Sequence, residues 1–99
     1  MEKNIERYKY AGAKECKKVL SDNPNYTLFW RSGLGYRGAR DVEIKREGMR
    51  KAWIGRDYRE ATFEEDMQSR YNWAANISIT IDHERKEIHM NGLSENDMW

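Results

Sequence analysis

Ile77-Ser78-Ile79-Thr80-Ile81-Asp82, followed four residues later by Glu87-Ile88-His89-Met90, is the stretch that decides the fold. Three isoleucines alternate with Ser78, Thr80 and Asp82 at the period of a β-strand, whose successive side chains leave opposite faces. With His83 to Lys86 as the turn, Ile81 lies opposite Ile88 and Ile79 opposite Met90. A slip of one residue would carry every isoleucine to the polar face, so the apolar pattern pins the register. Such a hairpin needs a second layer over its apolar side.

Working outward, Thr62 and Glu65 have the spacing of a capping box, and Phe63, Met67, Tyr71 and Ala74 recur at helical spacing. The pattern predicts a helix over 62–75, with Glu64, Glu65 and Asp66 in the first turn, where the helix dipole favours acids. Further upstream, Arg40 to Glu47 alternates, with Val42 and Ile44 on one face, and a turn around Gly48 leads to a strand at 51–55. A three-residue turn would set Ile44 against Ala52 and Val42 against Ile54. Tyr26 to Arg31 is a strand by its aromatic and β-branched content.

Near the start, Ile5, Tyr8, Gly12, Cys16, Val19 and Leu20 fit one amphipathic helix over 4–21. Gly12 weakens its middle by up to about 1 kcal/mol. The same residues also fit a strand at 5–10 followed by a shorter helix from Ala13, and Ser21-Asp22-Asn23-Pro24 ends either version. At the other end, Ser94 to Asp97 reads as the start of a last helical turn. The expected architecture is α+β: one domain over 1–99, a small antiparallel sheet of four to five strands, and two helices packed on one face.

Val, Leu, Ile and Phe together supply only 15 of 99 residues, whereas four Trp, six Tyr and five Met bring large apolar areas. A small aromatic core follows. Cys16 is the single cysteine, which excludes an intramolecular disulfide and a cysteine-based metal framework. No apolar run approaches the length of about 20 residues that a membrane span requires. A cytoplasmic protein with no membrane contact, cofactor or metal is the expectation, and the oligomeric state stays open.

The near-neutral net charge of +1 hides a partition. Residues 1–22 hold six Lys/Arg against four Asp/Glu, residues 23–59 nine against four, and residues 60–99 three against nine. The basic middle also contains Trp30, Trp53, Tyr26, Tyr36 and Tyr58, and its cations are more often Arg than Lys. Arg31, Arg37, Arg40, Arg46, Arg50, Lys51 and Arg56 are candidates to neutralise phosphates, with Tyr36 and Tyr58 candidates to stack on bases. The expected function is that of a non-enzymatic binding module contacting nucleic acid through this segment. The alternative is a protein–protein adaptor or inhibitor, of the accessory type that phages and mobile elements carry, acting on a partner that itself handles nucleic acid. Trp99 would then be an interface anchor.

Two further patterns suggest chemistry more weakly. Gly33-Leu34-Gly35-Tyr36-Arg37-Gly38 is a literal G-x-G-x-x-G, but the strand expected after it replaces the helix that a dinucleotide site requires, and the glycines read as a loop. On the polar face of the hairpin, Thr80 lies opposite His89, beside Asp82, His83 and Glu87. A hydroxyl–imidazole pair needs a third orienting group and a cleft, and an alternating strand exposes its polar residues in any case. Cys16 shares the helix face of Val19 and Leu20 and reads as a buried thiol.

Overall fold

The computed structural model describes residues 4–33, 41–74 and 76–93. The elements in chain order are β1 (Ile5–Ala11), α1 (Ala13–Asp22), β2 (Thr27–Gly33), β3 (Val42–Ile44), β4 (Arg50–Ile54), β5 (Asp57–Ala61), α2 (Phe63–Trp73), β6 (Asn76–Asp82) and β7 (Glu87–Leu93). The fold is α+β. A five-stranded sheet runs in the order β1-β6-β7-β2-β3, and β4 and β5 form a separate two-stranded hairpin.

The β6–β7 hairpin has the register that its isoleucines demand: Ile81 opposite Ile88, Ile79 opposite Met90 and Thr80 opposite His89. Asp82 shapes the turn, its Oδ1 accepting from the backbone N–H of Glu84 at 3.0 Å and of Arg85 at 2.9 Å. This hairpin takes the middle of the sheet because its strands carry the most apolar face. Ile77, Ile79, Ile81, Ile88 and Met90 are all buried. Cys16, Val19 and Leu20 of α1 and Met67 and Tyr71 of α2 join them in one cluster with Leu28, Trp30 and Ile44. β2, β6 and β7 carry their core residues at alternate positions, and the buried apolar residues of both helices join the cluster on that one face.

Three expectations change. One long first helix does not form: the strand-then-helix alternative is observed, with Gly12 as the N-cap of α1. Tyr10 sits at φ +59, and the β1–β6 register shifts between Tyr8 and Ala11, which bends the edge strand. The sheet is mixed rather than wholly antiparallel, because β2 runs parallel to β7 with Leu28 beside Ile88 and Trp30 beside Met90. That pairing gives the apolar face of the hairpin a second apolar neighbour. A Cβ on Gly92 would lie 2.5 Å from Cζ2 of Trp30, so the indole packs directly on the β7 backbone.

The third change concerns β3 and β4, which do not form a hairpin with each other. β3 pairs with β2, setting Ile44 opposite Leu28, and β4 turns back onto β5, setting Trp53 opposite Tyr58. The two-residue loop Gly55-Arg56 makes this second arrangement, with Gly55 at φ +64, the geometry that type II′ hairpin turns place on glycine. It also gives Ile44 a fully buried site in the main core instead of contact with Ala52 in an isolated ribbon.

Candidate functional site: an aromatic groove between α2 and the outlying hairpin

Alternation along β4 and β5 gives the hairpin two faces. Ala52 and Ala61 turn toward the body and are buried, whereas Lys51, Trp53, Tyr58 and Glu60 share the other face and are exposed. Small residues inside let α2 approach, and Ser69 of α2 donates its hydroxyl to the carbonyl of Trp53 at 2.5 Å. The capping box fixes the start of α2: Thr62 Oγ1 accepts from Glu65 N–H at 3.2 Å, and the Glu65 carboxylate accepts from Thr62 N–H at 3.3 Å. Those bonds, with a further one to Arg59, hold the Glu65 carboxyl below the usual carboxylate range.

Between the hairpin, the second half of α2 and the edge of Trp30 lies a hollow of about 340 Å³. Its walls are aromatic. Trp53 and Tyr58 lie 5.1 Å apart between ring centroids with their planes tilted by 53°, and Trp73 stands at the end of α2. These three are 61%, 58% and 45% exposed, whereas Trp30, at the back of the hollow, is 4% exposed.

Asp66, only 2% exposed, also lines the hollow. Arg70 donates from Nε to its Oδ1 at 3.1 Å and lies over the Trp30 ring, 5.6 Å from the centroid. Arg50 Nε is 3.7 Å from Asp66 Oδ2, within ion-pair range but too far for a hydrogen bond, and both atoms are buried with no hydrogen-bond partner. A second hollow of about 410 Å³ adjoins the first, sharing Ser69 and Trp73 and bounded by Gln68 and Asn72.

Among the described residues, the predicted phosphate-binding side chains do not form one surface. Lys51 and Tyr58 meet at the groove, with Arg56 exposed at the nearby hairpin turn. Arg50 is turned inward to Asp66. Arg31 donates to Asp41 at 2.9 Å on the polar face of the main sheet. Arg46 donates to three main-chain carbonyls, those of Leu20 at 3.0 Å, Asn23 at 2.8 Å and Tyr26 at 3.0 Å. Burial of that guanidinium lowers its pKa. Tyr36, Arg37, Arg40 and Trp99 lie outside the described residues, as does the helical turn expected at 94–97. Trp73 and Asp66 were not singled out from sequence. Trp73 falls off the Phe63-Met67-Tyr71 stripe, a signal that places it away from the core, whereas nothing distinguishes Asp66 from the solvated acids beside it.

The polar face of β6–β7 is organised differently. His89 stacks flat on Phe29, with centroids 4.7 Å apart and planes 7° apart. Its Nδ1 is 2.7 Å from Asp41 Oδ2 and its Nε2 is 3.0 Å from Glu87 Oε1. Both ring nitrogens therefore face carboxylates rather than the Thr80 hydroxyl. His83 ties the sheet together, meeting the Tyr26 hydroxyl at 2.8 Å through Nδ1 and the Glu6 carboxylate through Nε2. The bond from His83, with a second from Tyr8, draws the Glu6 pKa below its ordinary value. Cys16 is fully buried, and burial pushes its thiol up to about 12. Among the described residues, no three His, Cys, Asp or Glu side chains come together to hold a metal. No described helix is long and apolar enough to cross a membrane. Comparison with protein-family models, with curated proteins and with solved structures finds no match.

Proposed function

We propose that this chain is a non-enzymatic binding module that docks a protein partner in the aromatic groove. One observation carries the proposal: Trp53, Tyr58 and Trp73 are exposed together around one hollow, whereas the other exposed large apolar side chains among the described residues, Tyr8, Tyr10, Val42 and Met49, do not line it. Trp, Tyr and Arg are the residues that dominate binding energy at protein interfaces, and a concave, partly preformed site lets them work without reordering. The cations of the basic middle support the same reading. Arg31, Arg46, Arg50 and Arg59 all have internal partners, and Arg50–Asp66 and Arg59–Glu65 join the basic middle to the acidic last third.

The nucleic-acid reading keeps one observation, the exposure of Lys51 and Arg56 on either side of Tyr58. Salt separates the two, because phosphate contacts release counterions and weaken steeply as salt rises, whereas an aromatic interface does not. Labelled single- and double-stranded DNA and RNA would be titrated by anisotropy at low and near-physiological salt. In parallel, a photo-crosslinking residue would be placed at Trp53 and, as control, at Lys17 on the exposed side of α1. Protein adducts from position 53 alone, with no salt-sensitive nucleic-acid binding, are expected. Micromolar binding of nucleic acid with a steep salt slope, lost in Lys51→Glu, would overturn the proposal in favour of the nucleic-acid reading.

A further inference from the structure

We infer that the partner crosses this surface as an extended segment carrying a bulky apolar side chain beside carboxylates. The inference rests on the protein-binding reading and gives it a chemistry. The first support is size. At about 340 Å³ the hollow is at the lower end of the range of about 300–1,000 Å³ that encloses whole small ligands. That space seats one or two large side chains.

The second support is charge. Arg50 and Arg70 outnumber the buried Asp66 that they flank, and Lys51 stands exposed at the rim. Arg56 at the turn and Arg59 add two more cations; against them stand Glu60 opposite Lys51, Glu65 paired with Arg59 at the adjoining hollow, and Asp57 beside Arg56, leaving five cations against four acids with Asp66 counted. The surplus is positive, so an apolar anchor arriving with carboxylates is favoured and one arriving with cations is repelled.

The third support is the adjoining hollow. Gln68 donates from Nε2 to Asn72 Oδ1 at 2.9 Å, which leaves Gln68 Oε1 as an acceptor and Asn72 Nδ2 as a donor. One acceptor and one donor side by side complement the N–H and C=O of a main chain that is not folded on itself. Trp73 is the ridge shared by the two hollows. An anchor in the first hollow brings its neighbours in the partner chain within reach of the amide pair, where an extended backbone has its own polar groups free and a helical one does not.

Short synthetic peptides test this directly. Three are needed: a Trp between two Glu, the same Trp between two Lys, and an Ala between two Glu, each in a Gly/Ser background with blocked ends. Affinity would be read by anisotropy of a terminal label. The site would be read from the indole and side-chain amide signals of the nitrogen-15-labelled full chain. The Glu-Trp-Glu peptide is expected to bind at least about tenfold tighter than either other peptide, shifting the signals of Trp53, Trp73, Gln68 and Asn72. Lys51→Glu, at an exposed site where folding is not at stake, should reverse the preference between the acidic and the basic peptide. Equal affinity for all three peptides, shifts confined to other residues, or an unchanged preference in Lys51→Glu overturns the inference. If crosslinking at position 53 still gives protein adducts, docking stands and only its chemistry falls; if both fail, the groove is not a protein-docking site.

Discussion

Arg46 lies on the loop after β3, and the chain ends around it set its role. It donates to carbonyls at the end of α1 and on the path into β2, groups that the helix cannot satisfy itself. Its charge also stands at the helix C-terminus, where the dipole favours a cation, and the last turn of α1 has no basic residue of its own. Arg46→Met should therefore lower stability by about 2–4 kcal/mol, since three carbonyls lose a charged donor at once. Arg46→Lys should recover only part of that, because an ammonium lacks the planar fork that spans separate acceptors. Midpoints of urea unfolding measure both, and a loss below about 0.5 kcal/mol, the size of an ordinary surface change, would refute this role. Cys16 gives a prediction in pH. Its folded pKa, about 12, lies above the ordinary 9.0, so the folded state holds a proton that the unfolded chain releases first. The stability this contributes is complete below pH 9 and is lost as pH rises toward 12. Cys16→Ala should reduce the alkaline fall in stability over that window, by a slope of up to about 1.4 kcal/mol per pH unit. Tyr71, raised by burial as well, keeps the same sign in the variant.

At the scale of elements, two turns explain what a reader of the sequence can and cannot see. The β6–β7 hairpin and the α2 cap were legible because each is local: alternation fixes one and a three-residue spacing fixes the other. Thr62→Ala should cost about 1 kcal/mol by removing the cap oxygen, a loss measurable as a shift in thermal midpoint. The β4–β5 hairpin was not legible, since Asp57-Tyr58-Arg59-Glu60 has no apolar alternation, and its strand character comes from pairing with β4. Gly55 was the clue, because a glycine between two short segments marks a tight turn as readily as Gly48 does. With φ +64 and no atom within 4 Å of an added Cβ, Gly55→Ala should destabilise through backbone strain alone, by about 1 kcal/mol. A stabilised or unchanged hairpin in that variant would mean that the turn adopts another conformation. The parallel β2–β7 pair was equally hidden, because strand order depends on which apolar faces meet across the whole chain. The candidate groove inherits this limit: Tyr58 and Lys51 were visible as residue types, but what unites them with Trp73 and Asp66 is the docking of one element on another.

For the whole molecule, the partition of charge along the sequence becomes a set of contacts between its basic and acidic parts. Those contacts differ in weight. Arg59–Glu65 is exposed, at 48% and 40% of the side chains, and such pairs contribute about 0–1 kcal/mol and less in salt. Asp66 is different, because it is buried between two arginines where hairpin, helix and groove meet. Asp66→Asn keeps the shape but removes the charge, leaving Arg50 and Arg70 with no carboxylate in a poorly solvated site. A loss of about 3–5 kcal/mol is the usual outcome of breaking a buried pair from one side. Part of that burden can be lifted by removing the other side as well. Arg50→Met together with Asp66→Leu should be less destabilised than the sum of the two single variants, because apolar residues of similar volume tolerate the site that an unpaired charge does not. The coupling, read from urea midpoints of the four proteins in the cycle, should reach at least about 1 kcal/mol and change little between low and high salt, since buried pairs are screened weakly. Additive losses would instead mean that Arg50 and Asp66 do not sense each other across 3.7 Å, and the hairpin would then be held to α2 by packing, the Ser69–Trp53 hydrogen bond and the exposed Arg59–Glu65 pair.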